Sequence, residues 1–90
     1  MSDVRENKAG KRFELVVDGH TALAQIRREP GTIVIVHTEV PPDLGGRGVG
    51  SHLLQGIFAL ARAEGVKIRP LCPFAAGYMG KHPEYNDIRA

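Results

Sequence analysis

Four glycines and one arginine stand within the six residues Gly45-Gly46-Arg47-Gly48-Val49-Gly50. Glycine at this density lets a backbone turn sharply and lets another molecule approach the main chain closely. An apolar run ends just before the stretch, at Val40, and an amphipathic run leaves it. At a helix start, such a turn presents unpaired N–H groups with the positive end of the helix dipole behind them. That arrangement holds anions, most often phosphate. A plain strand-to-helix turn is the alternative. The stretch is not a Walker loop, because no Lys-Ser or Lys-Thr follows its last glycine. Nor is it the dinucleotide fingerprint, because its spacing is GxGxG and no acidic residue on a second strand lies about twenty residues later.

Cys72 is the second candidate. It lies where a short strand meets a new helix, and a helix N-terminus favours thiolate. A thiol placed there suits a nucleophile that carries an acyl group. A small buried hydrophobe is the alternative. His37 and Glu39 alternate onto one face of a strand, side by side at its end. They read either as an assisted carboxylate or as a solvated acid beside a structural histidine.

The elements that must position these groups follow from periodicity. Residues 1–10 are polar and read as a flexible end, leaving 11–90 as a single domain. Residues 12–17 and 20–27 read as two strands joined at Asp18-Gly19, a pair favoured in tight hairpins. Residues 32–40 are β-branched almost throughout and apolar on both faces in their first half, as in a strand with both sides covered. Pro41-Pro42 ends its pairing. From Arg47 to about Glu64 the apolar period is helical, with Val49, Leu53, Ile57 and Leu60 near one stripe. Gly65 stops that helix. Residues 66–72 return as a strand parallel to the one ending at Val40. Pro73 starts a short helix, and the tail from His82 to Ile88 reads as loop. The outcome is an α/β chain with a mixed sheet: a three-strand antiparallel meander, a helix, a parallel fourth strand and a short C-terminal helix. The C-terminal ends of its two parallel strands diverge into a crevice, the usual ligand position in such sheets.

Composition narrows the function classes. The net charge is +2, Trp is absent and the basic residues are scattered, which argues against a nucleic-acid partner. One cysteine excludes an internal disulfide and the usual cysteine-based metal site, so no metal is expected. No apolar run approaches the ~18 residues that span a bilayer. The polar start lacks a signal peptide. A cytoplasmic protein without membrane contact is expected, monomeric or dimeric, with a second subunit available to cover a sheet edge.

The glycine turn resembles the acyl-CoA pyrophosphate loop of the GNAT superfamily of N-acetyltransferases, (Gln/Arg)-x-x-Gly-x-(Gly/Ala) between a strand and a helix. Gly48 and Gly50 match its two small positions, and Arg47 is a common occupant before the first. Gly45 departs from the pattern, standing where the family has Gln or Arg. Pro70-Leu71-Cys72-Pro73-Phe74 and Tyr78-x-x-Lys81-His82-Pro83-Glu84-Tyr85 are similar to the closing segment of the small GNAT-like branch. The resemblance runs from about Phe13 to near the end of the chain. It implies a minimal GNAT-like fold that transfers acetyl from acetyl-CoA to an unidentified amine. Gly45, Gly46, Arg47, Gly48, Val49 and Gly50 would hold the coenzyme A pyrophosphate. The pantetheine arm would lie along Val36–Val40, where a backbone N–H near Val40 polarises the thioester carbonyl. Glu39 would be the general base, Tyr78 the acid for the departing thiolate, and Cys72 a transient acyl carrier. A CoA-binding module without turnover and a protein-interaction domain on the same scaffold are the alternatives.

Overall fold

The computed structural model describes residues 3–90. One sheet holds five strands in the order β1-β2-β3-β4-β5. β1 (Arg5–Asn7), β2 (Arg12–Val17), β3 (His20–Glu29) and β4 (Thr32–Glu39) form an antiparallel meander. The crossover helix α1 (Val49–Glu64) leads to β5 (Lys67–Pro70), parallel to β4. α2 (Pro73–Lys81) and a 3-10 turn over Pro83–Ile88 complete the chain. The architecture is the expected mixed α/β fold with one strand more. β1 was hidden because its residues are polar: Arg5, Glu6 and Asn7 pair with Glu14, Phe13 and Arg12 at the sheet edge, and the neighbouring Val4 is buried. The flexible end expected over residues 1–10 therefore does not hold from Val4 to Asn7, and Met1 and Ser2 lie outside the described residues.

Local chemistry sets the turns. Asp18 and Gly19 take φ of 50° and 77°, the doubly left-handed geometry of a two-residue hairpin that pairs Val17 with His20. Gly65, at φ 74°, ends α1 by donating to Ala61 and Arg62 carbonyls. The tail expected as loop winds into its 3-10 turn. Beyond it Ala90 N donates to Ile68 O at 2.8 Å, beside the outer edge of β5.

Both helices pack on one face of the sheet. Phe13, Leu15, Ala22, Ala24, Ile26, Ile33, Ile35 and Ile68 meet Leu53, Leu54, Ile57, Phe58 and Ala61 of α1 and Ala75 and Met79 of α2. Burial of each large apolar side chain stabilises by about 1.5–3 kcal/mol. Among the described residues no helix covers the other face. The run at Thr32–Val36 does not mark a strand covered on both sides. Val34 is fully buried yet stands outside the core cluster. Its cross-strand neighbours are Arg27 and Arg69. Both donate to Glu29, at 3.1 and 3.0 Å, so two arginine stems do the work of a covering layer.

Candidate functional site

The sheet splits after Ile35. β5 pairs with β4 only as far as Ile35↔Pro70, while β4 continues to Glu39. Pro70 has no N–H to extend the ladder. The N–H groups of Leu71 and Cys72 both turn back onto the Ile35 carbonyl, at 3.0 and 3.1 Å, and the chain swings away into α2. Val36–Glu39 thus keeps β3 on one side and loses β5 on the other. A β-bulge sits at the same place: Gln25 pairs with His37 and Ile26 with Ile35, leaving Val36 as the extra residue. Bulges of this kind re-aim side chains beside functional sites. The crevice expected between the parallel strands is present.

The glycine turn lies at the mouth of this split. Pro42–Leu44 forms one 3-10 turn anchored by buried Leu44. Gly46 and Gly48 then take φ of 74° and 70°, and Gly48 caps α1 without a side-chain hydrogen bond. A Cβ at either position would point into open space. The turn therefore presents bare main chain, and the first N–H groups of α1 have no intrahelical acceptor. Gly50 has a different reason to lack a side chain. A Cβ there would sit 2.9 Å from the Phe74 ring and 3.4 Å from Val40 Cγ2. It lets α2 and the end of β4 close on the first turn of α1.

Polar contacts tie the turn to the β2–β3 hairpin. Arg47 Nη2 lies 2.8 Å from Asp18 Oδ2, and His20 Nε2 lies 3.3 Å from Asp43 Oδ2. Arg47 also borders a hollow of about 260 Å³ with Val16, Gly48 and His52. Asp18 had only turn chemistry to mark it in the sequence, and its pairing with Arg47 spans two elements that no local pattern links.

The catalytic candidates fall on two sides of the sheet. Glu39 and His37 share the face without helices, 3.2 Å apart, and the Glu39 carboxylate is 61% exposed. Glu39 borders a hollow of about 470 Å³ with Thr21, Thr38, Val40, Pro41 and Pro42. Cys72 lies on the helix side, buried, where its Sγ accepts from Ala75 N at 3.4 Å and caps α2. Thr38 Oγ1 is 3.3 Å from that sulfur. Tyr78 accepts a hydrogen bond from Gln55 Nε2 at 2.9 Å and stacks on His82 with centroids 4.1 Å apart. It borders a third hollow, about 410 Å³, with Ser51, Phe74 and Lys81. Glu39 and Tyr78 therefore line different hollows, and the Cys72 thiol is bonded to Thr38 rather than to Glu39. Thr38 and Gln55 were missed. Plain alternation from Ile35 would turn Thr38 away from the helices, and only the bulge brings it to Cys72, so neither Thr38 nor Gln55 carried a local signal.

A further hollow, about 570 Å³, lies at the other end of α1, between Lys8, Lys11, Arg28 and Glu64. Arg28 there forks onto Glu6 at 2.9 and 2.7 Å and onto Glu64 at 2.8 and 3.2 Å. Those bonds raise the Arg28 pKa and hold the Glu64 carboxyl below its ordinary value. This clamp joins β1, β3 and α1 far from the glycine turn.

Residues 12–88 match the family model described as GCN5-related N-acetyl-transferase. The chain belongs to that family. The solution NMR structure of a GCN5-like protein from Staphylococcus aureus superposes with a TM-score of 0.76 at 29% identity, covering 98% of this chain and 87% of that one. N-alpha-acetyltransferase 80 of Mus musculus is 36% identical over 52 residues, which is 58% of this chain and 17% of the mouse protein. This member of the family thus spans only a small part of the length of its curated mouse relative. Its split strands and glycine turn occupy the matched region. Among the described residues no helix is long and apolar enough to cross a membrane.

Proposed function

We propose that the chain transfers acetyl from acetyl-CoA to an amine. One juxtaposition carries the reading: an unpaired strand edge, Val36–Glu39, runs directly into a turn whose Gly46 and Gly48 leave open space over bare main chain. The residues fit coenzyme A. The amides from Gly46 to Gly50 and the Arg47 guanidinium would hold its pyrophosphate, and the strand edge would pair with the amide-bearing pantetheine arm. Gly45 contributes backbone only. Acetyl-CoA supplies the activated acyl group, and the chain's residues do the rest.

Glu39, with His37 beside it, takes the proton that the acceptor's ammonium must lose before its amine can attack. The Val40 N–H donates to the thioester carbonyl oxygen, where negative charge grows as the new C–N bond forms. As the C–S bond breaks, Tyr78 gives its proton to the sulfur. Its hydroxyl oxygen accepts from Gln55, a bond that would stabilise the phenolate left after the transfer. Cys72 stands on the same helix side of the crevice and is the second group able to meet the leaving thiolate or take the acetyl group.

Side-by-side calorimetric titrations with acetyl-CoA, CoA, ATP and NAD test the reading, followed by CoA release with a panel of amines. Binding of both CoA compounds and amine-dependent release are expected; no response to either would sink it. The bare sheet face, which gives an acceptor no enclosing wall, favours the CoA-binding module as the second reading. Saturable CoA binding with no release above background would select it.

A further inference from the structure

The strand register places Arg5, Arg12, Arg27, Lys67 and Arg69 on the sheet face without helices, against Glu14 and Glu29. Glu39 stands at one end of the same face. With Glu39 counted, the face carries the chain's whole net charge of +2. It is therefore bipolar, with a carboxylate where the acceptor amine reacts and arginines along the rest. Arg12 and Arg27 reach their carboxylates through Nε, so their outer Nη groups are not used in those bonds. A guanidinium offers five donors in a fixed fork suited to carboxylate.

Spacing turns this pattern into a ruler. Arg12 shares a cross-strand row with Gln25 and His37, two strands from β4, which is about 10 Å at the usual strand separation. Arg27 and Arg69 flank Val34; with Val36 bulged out, Arg27 lies four residues along β3 from Leu23, the partner of Glu39, which is about 14 Å. An extended chain with its amine at Glu39 meets these cations from about its third to about its sixth residue.

Resting on the transferase reading of Glu39, we propose that this bare face docks the acceptor, and that the acceptor is an acidic polypeptide segment. Its amine reaches Glu39 while carboxylates about three to six residues away lie over Arg12, Arg27 and Arg69. A flat sheet suits an extended chain better than a compact metabolite. It suits nucleic acid poorly. The chain's aromatic residues, Phe13, Phe58, Phe74, Tyr78 and Tyr85, all lie in the core or on the helix side, so the face has no stacking platform.

The test is fluorescence anisotropy with short labelled peptides of equal length and one free amine. They carry Asp/Glu, Asn/Gln or Lys at the third to sixth positions, and single-stranded DNA and spermidine serve as competitors. The acidic peptide is expected to bind roughly tenfold tighter than the neutral one, since three exposed charge contacts contribute a few-fold each. That advantage should collapse between about 50 and about 300 mM salt. The double variant Arg12→Gln/Arg27→Gln should lose it, and Arg12→Lys/Arg27→Lys should keep most of it. Arg27 covers Val34, so Arg5→Gln/Arg12→Gln, which leaves that cover in place, is measured beside it and should lose part of the preference. Equal binding of acidic and neutral peptides, or tighter binding of the DNA or of spermidine, would overturn the proposal. Because the readout is peptide binding, failure of acetyl-CoA titration removes the transferase reading separately.

Discussion

Gly48→Ala offers the sharpest test of the glycine turn, because its cost can be isolated. Gly48 caps α1 at φ 70°, and a Cβ there meets no atom within 4 Å. Steric collision contributes nothing, so the whole penalty is that of a left-handed alanine, about 1–2 kcal/mol. Gly77 is the internal control. It lies within α2 with ordinary helical φ and again nothing within 4 Å of a built Cβ. There the same methyl removes backbone freedom from the unfolded chain and should stabilise by about 0.5–1 kcal/mol. In a domain of this size each kcal/mol moves Tm by about 4–8 °C. Urea and thermal unfolding should therefore rank Gly77→Ala above wild type and Gly48→Ala below it. Gly48→Asn should fall between wild type and Gly48→Ala, since asparagine tolerates the left-handed region. Wild-type stability for Gly48→Ala would refute the assigned backbone. Acetyl-CoA affinity supplies the second reading, with at least a roughly tenfold loss expected once a methyl occupies the cradle. A destabilised variant with unchanged affinity would keep the backbone assignment and reject the phosphate site.

Three further outcomes follow from individual contacts. Tyr78→Phe should lower kcat roughly 10²-fold while its Tm stays close to wild type, because the lost Gln55 bond is exposed; an unchanged kcat removes Tyr78 as the acid. Asp18→Asn should tighten CoA binding a few-fold at low salt, since the carboxylate at 2.8 Å competes with phosphate for Arg47; weaker binding would mean that Asp18 orients Arg47 instead. The Glu64 carboxyl is held below its ordinary value mainly by its hydrogen bond to Arg28. Its contribution is thus full above the unfolded pKa of about 4.3 and is lost as pH falls through the lower folded value, so a Tm-against-pH curve should drop there in wild type and be flatter in Arg28→Gln; parallel curves would contradict the clamp.

Elements whose information is local could be read from the sequence. The helical stripe of α1, the Asp18-Gly19 hairpin, the Pro70–Pro73 break and the glycine turn each announce themselves within a few residues. β1 did not, because a polar three-residue edge strand takes its stability from Phe13 and its neighbours on β2, not from its own pattern. The covering of β4 was misjudged because Val34 has the composition of a two-sided core strand. Arg27 and Arg69, far apart in sequence, meet over it only once the register is set. The bulge at Val36 is likewise a property of the pairing, invisible in one strand alone. Among the site residues, Gly46 and Gly48 carry the conformations that their type implies. Gly50 shows the limit of such reasoning: its small size answers to Phe74 and Val40.

The bulge and the split together explain how so short a chain can set opposed groups around one crevice. Were Val36 an ordinary paired residue instead of a bulged one, strand alternation would carry on unbroken from Ile35, which faces the helices. His37 and Glu39, at even steps from Ile35, would then face the helices too. The bulge reverses that parity. It turns Glu39 to the bare face, where an acceptor has access, and turns Thr38 inward to Cys72. Because β5 leaves β4 at the same residue, the reversal falls where the strand edge opens. The proposed proton acceptor thus comes to lie on one side of the sheet and the proposed donors Tyr78 and Cys72 on the other. That is the arrangement a displacement at a carbonyl needs if the entering amine and the departing sulfur are not to compete for the same group. Deleting Val36 would make His37 the direct neighbour of Ile35 in regular pairing, which keeps Thr38 facing Cys72 and Glu39 on the bare face; amine-dependent turnover should therefore survive in that variant, and its loss would show that the bulge does more than set this parity.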